Sequence, residues 1–232
     1  MIHKILSVSI FSFLLLTQSL QAKAHGSATS FNDTMLDKEK YFQVIQKPAT
    51  KFSLINADGK LISLENYKNK IVVLNFMYTN CPDVCPLQAE ALADIQEMVN
   101  LTPMKNLVQF ISITTDPSND RGDVLKNYGP ARGLTSTNWT FLTTRPNSAE
   151  NTTRKIAENF GHKFIKTNDG YQNHGVVTHI IDQNGQWVAN FHGLRFDPVN
   201  LVSYINNLSN SNSVLRRPQS LGLFDTIKAF FE

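Results

Sequence analysis

An uncharged apolar run, residues 71–76, stops at a proline-punctuated turn, Asn80-Cys-Pro-Asp-Val-Cys-Pro86, and an amphipathic helix follows at once. The run reads as a buried central strand. Pro86 is pre-set for the first turn of a helix over 86–100, and Leu92, Ile95 and Val99 recur on one face, although Gln88 makes that face's first position polar. A buried strand passing straight into such a helix commits the chain to layered α/β packing.

The rest of the chain continues the alternation. Residues 52–55 and 60–64 flank Asn56-Ala-Asp-Gly59, whose Asp-Gly signals a hairpin turn. A strand over 107–113 leads through Asp116-Pro117 into a helix near 121–128, and a strand over 139–143 precedes a helix over 148–160. Strands 178–182 and 187–191 enclose Gln183-Asn-Gly185, and Val199, Val202 and Ile205 mark a last helix after Asp197-Pro198. The sum predicts a three-layer α/β sandwich with a mixed sheet and an N-terminal β-hairpin extension.

The ends carry other signals. His3 and Lys4, the apolar centre 5–16 and the Ala22-Lys-Ala24 ending match a secretory signal peptide over 1–24. That centre is shorter than the ~20 residues of a membrane span. The chain is therefore expected to be exported, in a bacterium to the periplasm, or membrane-anchored if the segment stays uncleaved. Residues 25–49 are polar and weakly periodic and read as a tether or an irregular lead-in, leaving 50–208 as the folded domain. In the tail 209–232, a polar break over 209–213 precedes an apolar helical stripe, Leu223, Phe224, Ile227, Phe230 and Phe231, which docks on its own domain, a partner groove or a membrane surface. Cleavage after Ala24 leaves 20 basic against 19 acidic residues, with no basic run, which excludes nucleic acid as a partner.

Cys81 and Cys85 are the only cysteines. A structural disulfide is the plain reading of such a pair in an exported chain. Chain entropy gives a loop this short only ~2 kcal/mol, and a domain of this size needs no such staple. Function ranks higher. At the start of a helix, partial positive charge favours thiolate over thiol. Thiolates serve disulfide exchange or metal binding; two soft sulfurs suit Cu(I), and Cu(II) calls for an added imidazole.

Of the five histidines that survive cleavage, His174 stands out, because Gln172-Asn-His-Gly175 is a loop just before a strand. His179 falls within that strand and reads as packed or at an edge; His162 reads as hydrogen-bonded or solvated. His192 is a weaker loop candidate, and His25, as a new amino terminus, could chelate Cu(II) through its amine and ring.

With these residues in view, the chain resembles the Sco/SenC family of copper-binding, thioredoxin-like proteins. The likeness is carried by Asn75-Phe-Met-Tyr-Thr-Asn-Cys-Pro-Asp-Val-Cys-Pro86, by Phe110-Ile-Ser-Ile-Thr-Thr-Asp-Pro117, and by His174 with Ile180-Ile-Asp-Gln-Asn-Gly185. It implies a thioredoxin-like sandwich in which Cys81, Cys85 and His174 bind one copper ion, Cu(I) or Cu(II), with Asp83 and Asp116-Pro117 in support. The implied role is a metallochaperone for an apo-cuproenzyme, above all the binuclear copper centre of a cytochrome c oxidase, served by a thiol reductant protein. Two departures stand out: Asn173 replaces the family's usual Asp before the histidine, and the start reads as cleavable where members are commonly anchored.

Two alternatives remain open. Cys81 and Cys85 could act catalytically, in a thiol-disulfide oxidoreductase that reduces the target's cysteines. No proline lies between Pro146 and Pro198, so the partner loop of ordinary thioredoxins is missing. Zinc held by Cys81, Cys85, His174 and His179 is the other alternative, and the opposite strand parity of 174 and 179 speaks against it.

Overall fold

The computed structural model describes residues 30–166, 172–173 and 175–216. In chain order the elements are α1 (Phe31–Lys38), β1 (Phe42–Pro48), β2 (Ser53–Ile55), β3 (Leu61–Ser63), β4 (Ile71–Met77), α2 (Val84–Asn100), β5 (Val108–Thr114), α3 (Gly122–Tyr128), β6 (Trp139–Leu142), α4 (Thr152–Asn159), β7 (Ile165–Lys166), β8 (Gln172–Asn173), β9 (Val177–Ile181), β10 (Gln186–His192) and α5 (Pro198–Arg216). The main sheet runs β1-β10-β9-β4-β5-β6. β4, β5 and β6 are parallel, and β9, β10 and β1 join antiparallel. β4 and β5 are buried at every position, as strands covered on both faces must be.

Two apolar clusters fill the two sides of this sheet. One packs Val73, Phe110, Ile180 and Phe191 beneath the buried face of α2 and α5, where Ile95, Val99, Leu201 and Ile205 point inward. The other packs Leu74, Phe76, Ile111 and Ile181 against Ala157 of α4 and Phe160 at its C-terminal cap and against Leu54 and Ile62 of the β2–β3 hairpin. The expected mixed three-layer sandwich is the observed one. Gly185, at φ 78°, closes the β9–β10 hairpin in a conformation that a side chain would strain.

The expected tether is not one from Ser30 onward. Ser30 and Asp33 form a reciprocal capping box that starts α1, and Met35 is buried against the domain. β1 then becomes the edge strand paired with β10. The buried Glu39 carboxylate accepts hydrogen bonds from the N–H of Asp197 at 2.8 Å, from Asn200 Nδ2 at 3.1 Å and from the Tyr41 N–H at 3.1 Å, which fastens the lead-in to the start of α5. Burial opposes ionisation of Glu39, yet these donors lower its pKa.

The polar break expected over 209–213 is also helix. Ser209 and Ser211 donate to the carbonyls of Asn206 and Asn207, both at 2.8 Å, so the hydroxyls bond within the helix instead of ending it. The signal segment 1–24, His25, His174 and the stripe 223–231 lie outside the described residues.

Candidate metal centre

The sheet delivers the two sulfurs to one place. β4 ends at Met77, whose carbonyl accepts from the Thr115 N–H at 2.9 Å, and the chain crosses to α2 in six residues, 78–83. α2 begins two residues earlier than the sequence suggests, so Cys85 lies within its first turn and Cys81 in the loop before it. Both sulfurs are unbonded thiols, 8% and 1% exposed respectively.

Their environments differ. Burial resists ionisation of Cys81, but the Cys85 thiol, the N–H groups of Asp83 and Cys85 and the Tyr78 hydroxyl all donate to its sulfur and lower its pKa. Cys85 moves the other way: burial raises its pKa strongly, the neighbouring Cys81 and Asp120 add to the rise, and the Tyr78 N–H opposes them. Cys81 is thus the ready anion and Cys85 a held thiol.

Asp120, which the sequence reading passed over, organises the loop. It is fully buried and accepts from the Thr79 N–H at 3.0 Å, from Thr79 Oγ1 and from Thr114 Oγ1. Burial raises its carboxyl pKa and Asp116 adds to the rise. Asp116 acts one step back: its N–H donates to Thr114 Oγ1 at 2.9 Å, and its carbonyl accepts the Asp120 N–H at 3.0 Å. Asp83 is exposed and touches the site through its backbone. A buried aspartate in a loop resembles any solvated turn residue in sequence, so nothing local marks Asp120.

Gln88, the polar residue on an apolar face, also finds its reason. It is 3% exposed and donates through Nε2 to the carbonyl of Val177 at 3.3 Å. One turn beyond Cys85, it therefore ties α2 to the first residue of β9, three residues after position 174. His174 itself lies outside the described residues, between β8 and Gly175.

His179 belongs to the other face. It is fully buried among Phe76, Phe160 and Trp187, whereas the cysteines pack with α2. The zinc set therefore loses His179, and among the described residues no three His, Cys, Asp or Glu side chains stand together as a cation site. Its proton positions follow from the Trp187 indole, which can only donate. That indole bonds Asn190 Oδ1 at 2.8 Å, so the same oxygen accepts from His179 Nδ1–H at 2.7 Å. Burial and the nearby His162 keep His179 neutral, its pKa well below 6.5, so its bare Nε2 accepts from His162 Nε2–H at 2.9 Å. In the other direction Asn190 Nδ2 donates to Gln43 Oε1 at 3.0 Å, which also accepts from His192 Nε2–H at 2.9 Å. His162, His179 and His192 are members of a hydrogen-bonded chain, and His192 is no loop ligand.

The chain is similar to known proteins in sequence and fold. A family model described as SCO1/SenC matches residues 43–210. A SCO1 protein homolog of Bacillus subtilis is 35% identical over 92 residues, which cover 40% of this chain and 47% of that relative. This chain thus matches about half the relative's length. Among solved structures, a SCO1/SenC family lipoprotein of Bacillus anthracis aligns at a TM-score of 0.65 and 27% identity, covering 72% of this chain and 98% of that one. BsSco, a member of the Sco family of cytochrome c oxidase assembly proteins with a disulfide switch, aligns at 0.63 and 24%, covering 72% and 96%. ScoI of Bradyrhizobium japonicum, solved with copper bound, aligns at 0.56 and 24%, covering 69% and 99%.

Proposed function

The chain belongs to the SCO1/SenC family, and from that premise we propose that it is an exported copper metallochaperone that holds one ion on Cys81, Cys85 and His174. The observation that carries this reading is the pair of unbonded, buried sulfurs in the first turn of α2 and the loop before it. Two soft donors of this kind suit Cu(I). Copper is cargo here, and the related ScoI with copper bound supports that identity. BsSco's membership of an oxidase-assembly family supports an apo-cytochrome c oxidase as the recipient.

The two sulfurs divide the work. Cys81 ionises first and meets the incoming cation; Cys85 gives up its proton when the metal displaces it, so loading releases protons. The first turn of α2 favours both anions. The imidazole of His174 joins for Cu(II) and leaves for Cu(I), and ligand exchange with the recipient's own sulfurs completes delivery. Reduced cysteines are required, so a thiol reductant protein is a partner. The signal segment supports export to the periplasm, and the lipoprotein relative supports membrane association. No helix among the described residues is long and apolar enough to cross a membrane.

Anaerobic copper titration of the reduced mature protein tests the reading. One ion per chain is expected, abolished by Cys81→Ser or Cys85→Ser, with Cu(II) binding lost and Cu(I) binding kept in His174→Ala. Undiminished binding by the doubly substituted Cys81→Ser, Cys85→Ser protein would overturn it.

The opposed acidities of the two thiols favour a second reading, reduction of a target disulfide. The Cys81 thiolate attacks one target sulfur and expels the other as thiolate; Cys85 then loses its proton, attacks Cys81 and frees the second target thiol. The pair ends as a disulfide, which the reductant protein restores. Retained exchange in His174→Ala together with absent copper binding would favour this role.

A further inference from the structure

One side of α5 is left open beside the far end of α2. α5 buries Leu201, Tyr204 and Ile205 in the core. On its flank Val199, Val202, Asn206 and Asn210 recur three or four positions apart and line a groove of about 500 Å³, whose other wall is Met98 of α2 with Met104 and Leu107 of the segment leading into β5. Val199 is 59% exposed and Leu107 37%, and Leu101, which caps α2, is 81% exposed. Scattered exposed apolar residues are ordinary, but gathered along one groove they offer an apolar partner area to remove from water.

The same chain carries an apolar stripe that suits this groove. α5 ends at Arg216, within about two turns of Asn210. Pro218 disfavours helix at Arg217, and Gly222 is free to turn, so residues 217–222 have the length and chemistry of a connection between antiparallel neighbouring helices. Leu223, Phe224, Ile227, Phe230 and Phe231 then follow at helical spacing. A helix over 223–231 is about 13 Å long, and Val199 to Asn210 spans about 17 Å of α5, so the stripe fits within the groove. Charge speaks against a membrane surface as the occupant's destination. The polar positions are Asp225, Lys228 and Glu232, whereas a helix lying on anionic lipid carries Lys and Arg on its polar face.

We propose that residues 223–231 fold back as a helix and seat their apolar stripe in the groove between α2 and α5 of the same chain, covering Met98, Leu107 and Val199. The short connection gives the stripe an effective concentration in the millimolar range, which favours the chain's own groove over a second copy. The inference goes beyond copper carriage and is independent of it, since the groove contains neither cysteine and Cys85 lies at the opposite end of α2.

The test uses the reduced, copper-free mature chain at full length, beside Leu223→Asp/Phe224→Asp, which breaks the stripe, and Val199→Asp, which breaks the groove at the first turn of α5, where a helix tolerates an acid. Trypsin cleavage after Lys228 should be about tenfold faster in Val199→Asp than in wild type, because cutting tracks the undocked fraction. In the stripe variant the methyl NMR signals of Met98 and Met104 should shift, while those of Met35 and Met77, which lie outside the groove, keep their positions. Equal cleavage rates with unmoved Met98 and Met104 signals would overturn the proposal. Protection of Lys228 that grows with protein concentration, alongside a dimer in sedimentation, would give the groove to a second copy and overturn it. Unmoved Met98 and Met104 signals with phosphatidylglycerol vesicles binding the wild type but not the stripe variant would give the stripe to a membrane and overturn it as well.

Discussion

The two faces of the central sheet carry different buried polar groups, a hydrogen-bonded chain of side chains on one and two free thiols on the other. On the α4 face, Trp187, Asn190, His179 and His162 pass hydrogen bonds along a chain whose direction is set by an indole that can only donate. On the α2 face lie two reduced thiols with no disulfide between them, and the Tyr128 hydroxyl, Asn75 Nδ2 and Thr178 Oγ1 have no hydrogen-bond partner among the described residues, as Thr153 Oγ1 on α4 has none. Asn75 and Thr178 sit opposite each other on β4 and β9. A hydrogen-bonded network that ties neighbouring strands specifies one structure, since each member is costly to lose. The first face holds the interlocked histidine network and the second the reactive sulfurs.

The largest effect expected from breaking this contrast is on the face with the histidine network. Asn190→Leu strips the acceptor from His179 Nδ1–H and from the shorter of the two bonds of Trp187 Nε1–H, and should cost about 3 kcal/mol in urea unfolding. Thiol reactivity should stay at the wild-type level, and a parallel loss there would show that the faces are not independent.

Acid should reach the same face next. His179 has its pKa depressed in the folded state, so the unfolded chain takes up the proton first as pH falls below 6.5. Its stability contribution is complete above that value and is lost from there down to the depressed pKa, with a slope of up to about 1.4 kcal/mol per pH unit. His192, also depressed by burial, acts in the same direction. The window from 6.5 to about 5 precedes titration of Glu39, whose own pKa is lowered from 4.5. His179→Gln should flatten the slope measured by thermal melts across that window, and an unchanged slope would remove His179 as its source.

The smallest effect on stability belongs to the link between α2 and β9. Gln88→Leu should cost about 1 kcal/mol, the worth of one hydrogen bond. Its sharper consequence is functional: Cu(II) affinity falls because the strand leading from position 174 loses its tie to α2, while Cu(I) affinity, carried by the sulfurs, holds. Equal loss of both would mean that Gln88 acts on the cysteines themselves.

Why some of this was legible in sequence and some was not follows from distance along the chain. The strand, the Cys-Pro-Asp-Val-Cys-Pro turn and α2 are written in consecutive residues and differ from expectation by two positions at the helix start. The lead-in 31–48 was missed because its anchor is the Glu39 carboxylate on Asp197 and Asn200, more than 150 residues away. Its own pattern carries no period. The packed state of His179 was readable from its place in an apolar strand, but its chain of partners was not. A register shift between Trp187 and Ala189 puts Trp187 on the same face as Asn190, and an irregularity of that kind leaves no mark in the sequence.

X-ray absorption at the copper edge of the Cu(I)-loaded protein, read beside Cys81→Ser and Cys85→Ser, tests the central claim most directly. The account predicts two sulfur scatterers on copper in the wild type and one or none in each variant. A copper shell of nitrogen and oxygen alone, unchanged by either substitution, would contradict it.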